Sequence, residues 1–281
     1  MDRVPAVEKE ELRDSGLSVQ DVTVTFGGLT ALDQVSAEVA SGEVVGVIGP
    51  NGAGKTTLFN VISGFVKPDT GALHWRGERL SSHRPDQLAG LGIARTLQGV
   101  GLFPRLTVQE NVMVGAERFR RARIGGALLG LPGSDRDERA LRERADAALR
   151  RLDCAGIGDR LPSTLPFAVQ KRVGLARALV SEPDLLMLDE PAGGLGAEEL
   201  KQLGTLIREL RSSMAVMLVE HHMDLVMSIC DRVIVLDFGS VIATGDPEAI
   251  KRHPEVLEAY LGRDAEDQGA ALPAGIGDAK D

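Results

Sequence analysis

An apolar run, Val44–Ile48, leads directly into Gly49-Pro50-Asn51-Gly52-Ala53-Gly54-Lys55-Thr56, and a helical pattern begins near Thr56. The octapeptide fits G-x-x-x-x-G-K-[ST], and its place between a strand and a helix counts for more than the string itself. Glycines let backbone amides turn toward phosphate oxygens, and the helix N-terminus adds the positive end of its dipole. Lys55 supplies a point charge, Thr56 is placed to hold Mg²⁺, and Thr57 completes the phosphate-facing stretch 49–57. Such a turn commits the chain to an open α/β sheet, in which ligands meet the C-terminal ends of strands.

The rest of the chain fits that frame. Short β-branched runs alternate with helical patterns, as expected of a mostly parallel sheet flanked by helices. The most legible strands are Val19–Phe26, Val44–Ile48, Asp184–Leu188, Ala215–Val219 and Val233–Asp237. Three of these carry polar chemistry at or beside their C-terminal ends.

Leu185–Leu188 ends in Asp189-Glu190, two carboxylates that suit Mg²⁺ binding by Asp189 and polarisation of an attacking water by Glu190. Ala215–Val219 ends in Glu220-His221, where His221 can hydrogen-bond a terminal phosphate or that water. Phe26, on a strand ahead of the phosphate loop, suits stacking on a base or a place in the core. Gln98 follows a strand expected at Gly92–Leu97 and is in reach of Mg²⁺ or water. In isolation each of these is weak, and their weight comes from the phosphate loop.

With 281 residues the chain can bury a sizeable core, as one large α/β domain or as one domain with an inserted subdomain. The net charge of −9 argues against a general grip on nucleic acid, which needs a basic face to displace counterions. No apolar run approaches the ~20 residues needed to span a bilayer, and the N-terminus is too charged for a secretory signal. Any membrane link is expected through a partner. Cys154 and Cys230 lack neighbours at metal or redox spacing and read as reduced thiols packed as small core hydrophobes.

From about Glu110 to Asp153 the pattern is helical, and over Arg136–Asp153 the apolar residues Leu141, Ala145, Ala148, Leu149 and Leu152 share one face. Residues 97–180 read as a helical subdomain inserted between the phosphate loop and the acidic strand. Its arginines, including Arg118, Arg120, Arg121, Arg123, Arg136, Arg139, Arg142 and Arg144, fit a solvated face laced with acids better than a docking surface. Residues 1–15 and 263–281 are poor in large apolar residues and read as disordered tails around a domain at 16–262.

Taken in order, Phe26, the 49–57 loop, Gln98, the helix start within Leu165–Leu179, Asp189-Glu190 and His221 resemble an ATP-binding cassette (ABC) ATPase. The likeness covers about residues 17–262. Phe26-Gly-Gly-Leu-Thr-Ala-Leu32, Ala94-Arg-Thr-Leu-Gln98 and Glu220-His-His-Met-Asp-Leu-Val-Met227 look like the branched-chain amino acid uptake subfamily. The resemblance implies a P-loop NTPase fold with an N-terminal antiparallel β subdomain, ATP and Mg²⁺ as ligands, and a place on the cytoplasmic side of the membrane. It further implies integral membrane permease subunits, an extracytoplasmic substrate-binding protein, and a second ATPase subunit closing head to tail on this one.

Two positions depart from the family pattern. Its signature, broadly Leu-Ser-Gly-Gly-Gln, stands here as Leu165-Pro166-Phe167-Ala168-Val169. Pro166 lacks both the hydroxyl and an amide proton, Ala168 adds a Cβ, and Val169 has no hydrogen-bonding side chain. Each lost contact to a phosphate oxygen weakens a nucleotide clamp by on the order of 1.5–3 kcal/mol. Gly196 stands where many members have an acidic or amide residue.

A competent phosphate loop beside an impaired signature predicts a heterodimer, in which a partner with an intact signature completes the site built on Lys55 and Glu190. A cassette ATPase acting on a soluble complex and a nucleotide-gated module with little hydrolysis are the alternatives.

Overall fold

A computed structural model describes residues 16–96, 99–120 and 132–260, without the side chains of 132–134. The tails expected at 1–15 and 263–281, Gln98, Arg121 and Arg123 lie outside the described residues.

The first strands are β1 (Leu17–Phe26) and β2 (Leu29–Val39), a hairpin closed by Gly27-Gly28. Both glycines have positive φ, 54° and 89°, as a two-residue turn between right-twisted strands demands. β3 (Val44–Ile48) then feeds the glycine loop and α1 (Lys55–Ile62). β4 (Thr70–Trp75) and β5 (Glu78–Arg79) join the hairpin, giving a four-stranded antiparallel sheet ordered β2-β1-β4-β5.

After the short α2 (Leu88–Leu91), β6 (Ile93–Arg95) is narrower than the Gly92–Leu97 expected. Gly92 is instead the left-handed end of α2, with φ 77°. Then come α3 (Val108–Gly115), α4 (Pro132–Arg151) and α5 (Phe167–Leu179), the main helices among the described residues of the interval 97–180. α3 starts with a reciprocal cap, in which the Glu110 amide donates to Thr107 Oγ1 and the Thr107 amide to Glu110 Oε2.

The chain returns through β7 (Leu185–Asp189), α6 (Ala197–Leu210), β8 (Ala215–Val219), α7 (Met223–Ile229), β9 (Arg232–Asp237), β10 (Ser240–Gly245) and α8 (Pro247–Lys251). The second sheet is ordered β10-β9-β3-β8-β7-β6, with β10 antiparallel to β9 and every other pair parallel.

β3, β7 and β8 are buried along their whole length because both faces of this sheet are covered. Leu186, Leu188, Val216 and Leu218 face one core with α3–α7, while Leu185, Met187, Met217 and Val219 face a second with α1 and the antiparallel sheet. On α4 the residues Leu141, Ala145 and Leu149, and Leu152 just past its end, are buried against the first core, with Ala148 packed beside them. Its outer face pairs charges, as between Arg142 and Glu138 at 2.6 Å, one turn apart. Both cysteines are free and buried, and burial pushes the Cys230 thiol up to about 12.

Candidate functional site

Three neighbouring strands end level with one another. Val219 of β8 pairs with Val47 of β3 on one side and with Asp189 of β7 on the other. The glycine loop, Glu190 and Glu220-His221 therefore leave the sheet along one edge, which is how residues about 140 and 170 positions from the loop share one site.

The glycine loop is shaped by what lies behind it. Gly49 has φ 147°, and a Cβ there would run into the carbonyl of Leu236 on β9. Gly54 has φ 98°, and a Cβ there would sit 2.6 Å from the carbonyl of Ala31 on β2. Both positions thus require glycine for space as well as for backbone angle. The Gly239 amide donates to the Ala53 carbonyl and the Asp33 amide to that of Gly239, so the β9–β10 turn ties the loop to β2. Lys55 folds over the loop, donating from Nζ to the carbonyls of Gly49 at 2.7 Å and Pro50 at 2.8 Å. Thr56 and Thr57 occupy the first turn of α1. Phe26 ends β1 opposite Leu29 and is half exposed, on the hairpin whose second strand abuts Gly54.

Asp189 is buried at the end of β7, whereas Glu190 is half-buried just beyond it. Glu190 has φ 48°, an uncommon angle for a side chain other than glycine, so the chain turns sharply here. Its amide donates to the Val219 carbonyl at 3.0 Å, anchoring the turn to β8. His221 is 59% exposed and free to meet a ligand at the sheet edge.

Beside it, Glu220 is fully buried and was not singled out by its sequence context. Its Oε1 accepts from the Ala192 amide at 2.6 Å, while Oε2 accepts from the amides of His221 and His222 at 3.0 and 3.2 Å. One carboxylate thereby joins the loop after Glu190 to the loop carrying His221. Ligand atoms of Glu220, His221 and His222 lie within 4.8 Å of one another, but the carboxylate is already engaged by backbone amides.

Arg95 of β6 was likewise not singled out. It forms a buried ion pair with Asp189 at 2.8 Å. The signal available in the sequence was a cation within the otherwise apolar run Ile93-Ala94-Arg95, where a charge persists only if partnered.

The degenerate segment caps α5 with Pro166, whose carbonyl accepts from the amides of Val169 and Gln170, each at 3.0 Å. Phe167 packs at Gly194, where a Cβ would come within 2.9 Å of its ring. Gly196 caps α6, and its amide donates to the Glu199 carboxylate, so an acid arrives there from three residues further on. A cavity of about 430 Å³ between α5 and α6 reaches Lys171 and Asp189, and no residue of 49–57 lines it.

Comparison with known proteins agrees with this arrangement. The profile of the ABC transporter family matches residues 32–193, and that of the branched-chain amino acid ATP-binding cassette transporter matches residues 240–266. The chain is 41% identical to the high-affinity branched-chain amino acid transport ATP-binding protein LivG of Escherichia coli, over 88% of this chain and 97% of that one. It is 40% identical to BraF of Pseudomonas aeruginosa, which bears the same description, over the same shares. Among solved structures it superposes on the ADP conformation of an ATP-binding cassette of an ABC transporter. The TM-score is 0.77 and the identity 30%, over 88% of this chain and 99% of that one. A dimeric post-hydrolysis cassette bound to ADP and Pi matches with TM-score 0.69 and 25% identity, over 82% and 98% of the two chains.

Proposed function

The chain belongs to the ABC transporter family of nucleotide-binding, ATP-hydrolysing proteins, and we propose that it powers an importer of branched-chain, hydrophobic amino acids. The observation that carries the reading is the level register of Val47, Val219 and Asp189, from which the glycine loop, Glu190 and His221 emerge together. The names borne by LivG and BraF support the substrate class.

In this reading the amides of residues 49–57 cradle the phosphates, and Lys55 Nζ exchanges the carbonyls of Gly49 and Pro50 for phosphate oxygens. Phe26 stacks on the adenine. Glu190 polarises the attacking water, and His221 hydrogen-bonds the γ-phosphate or that water. Gln98 reports the γ-phosphate to the helices of 97–180, which act as a subdomain within the domain at 16–262.

Thr56 and Asp189 offer a hydroxyl and a carboxylate, the hard oxygen donors that Mg²⁺ takes, with Thr56 in the first turn of α1 and Asp189 closing β7, two strands from the one that leads into the loop. These two donors suit the ion, and Gln98 is proposed as a further oxygen ligand. When bound, the ion neutralises charge on the β- and γ-phosphate oxygens.

The chain works at the cytoplasmic face of the membrane on integral permease subunits, served by an extracytoplasmic substrate-binding protein. No helix of the described residues is long and apolar enough to cross a membrane. Its ATPase partner is a second, different cassette with an intact signature. Pro166, Ala168 and Val169 support that pairing, because two copies of this chain would oppose two impaired signatures to two phosphate loops. The same residues favour a second reading, a nucleotide-gated subunit with little hydrolysis. Phosphate release by the full chain alone and mixed with the second ATPase subunit separates them. Strong activation by the partner supports the heterodimer, equal rates overturn it, and no release from the mixture favours the gated subunit.

A further inference from the structure

The guanidinium of Arg95 hydrogen-bonds three side chains at once. One terminal nitrogen donates to Asp189 Oδ2 at 2.8 Å, and the other to Asn60 Oδ1 at 2.8 Å and Ser63 Oγ at 3.1 Å. Asn60 lies on α1 and Ser63 ends it, so the contacts reach the helix that begins at the phosphate loop. Phe59 and Phe65 lie beneath the charge, their ring centroids 5.6 and 5.8 Å from Cζ. Arg95 and Asp189 are only 9% and 6% exposed, and Arg95 Nε is buried with no hydrogen-bond partner among the described residues.

An arrangement selected for stability alone would look different. A buried ion pair roughly breaks even against apolar packing of the same volume, and an unmet donor shifts the balance further against it. Arg95 also forgoes the two-pronged carboxylate grip that its shape allows, engaging Oδ2 through one nitrogen. What it achieves is a fixed relation between the Asp189 carboxylate and α1. The Thr96 hydroxyl, next in sequence, accepts the Asp189 amide at 3.2 Å and steadies the same strand end.

We propose that Arg95 is a positioning residue for the magnesium of the nucleotide. It fixes the Asp189 carboxylate against Asn60 and Ser63 in the last turn and cap of α1, the helix whose first turn carries Thr56, so that the carboxylate and the phosphate loop meet the ion as one rigid unit. Residues that hold a metal ligand in this way typically change metal affinity by about 10–100-fold when removed. The inference rests on the assignment of Asp189 to Mg²⁺ made above.

The test is equilibrium binding of a fluorescent, non-hydrolysable ATP analogue to the full chain, first in EDTA and then across a Mg²⁺ titration. In Arg95→Met, affinity in EDTA stays within about twofold of the parent, while the Mg²⁺ midpoint rises at least about tenfold. In Arg95→Lys, which keeps the charge but cannot span Asp189, Asn60 and Ser63, the midpoint rises at least about threefold. A smaller rise in Arg95→Met overturns the proposal, as does an equal loss in EDTA and in Mg²⁺, which marks a merely structural role. If Arg95→Met does not fold, Arg95→Lys decides by its own threshold. A parent whose binding ignores Mg²⁺ overturns the assignment of Asp189 itself, whereas a responsive parent with unmoved variants overturns this inference alone.

Discussion

Lys171 on α5 donates from Nζ to the carbonyl of Pro191 at 2.8 Å and lies 3.4 Å from that of Glu190. The helix that begins at the degenerate segment is thus latched to the turn that aims Glu190. Desolvation lowers the Lys171 pKa, against the pull of Glu220 and Glu190, as expected of a cation drawn into this crevice. Lys171→Met is expected to slow turnover several-fold with little change in nucleotide affinity, because the turn loses its support while the phosphate loop does not. A loss confined to nucleotide affinity would contradict this role.

Glu190→Gln keeps the shape of the site and removes the base. Phosphate release should fall by about 100-fold or more while ATP remains bound. Single-turnover phosphate release beside nucleotide retention measures both, and unchanged release would remove Glu190 from the chemistry.

Gly49→Ala places a Cβ against the carbonyl of Leu236 at a backbone angle that side chains rarely adopt. Stability should fall by more than about 1 kcal/mol and ATP affinity with it. Thermal melts and binding isotherms of the variant check this, and parental values in both would mean the loop is not packed as described.

Glu43 and Arg232 pair through two contacts of 2.8 and 2.9 Å, joining the start of β3 to the start of β9. Burial opposes ionisation of Glu43, but the hydrogen bonds from Arg232 and the Ala40 amide and the Arg232 charge outweigh it, and the pKa is lowered from 4.5. A lowered carboxylate pKa adds stability that is present above the unfolded value and is lost as pH falls through the folded one. Glu43→Gln should therefore destabilise the protein by on the order of 1–2 kcal/mol at pH 7 and by progressively less below about pH 4.5. Denaturant melts across that window give the answer, and a penalty that does not shrink with acid would contradict the pairing.

Legibility in the sequence followed burial. β3, β7 and β8 are covered on both faces and read as unbroken apolar runs, so their ends and the chemistry there were plain. β2 was not among the strands read directly, because its exposed residues interrupt the pattern and its pairing with β1 shifts register three times. β4 and β10 are short and partly exposed, and they carried no better signal. On α4 a single apolar face gave the helix away. Arg95, Lys171 and Glu220 were given no role because what sets them apart is which distant groups they meet. Glu220 looked like a polar residue closing a strand, and only the fold brings the Ala192 amide to it.

The most direct test of the account is Mg-ATP binding and phosphate release by the full chain assembled with its second ATPase subunit, with Lys55 intact or replaced by Met. Binding and release by the intact chain, with affinity at least about tenfold weaker in Lys55→Met, is the result expected when Lys55 Nζ grips the phosphates. Parental affinity in Lys55→Met, or an intact chain that takes up no Mg-ATP in the assembly, would contradict it.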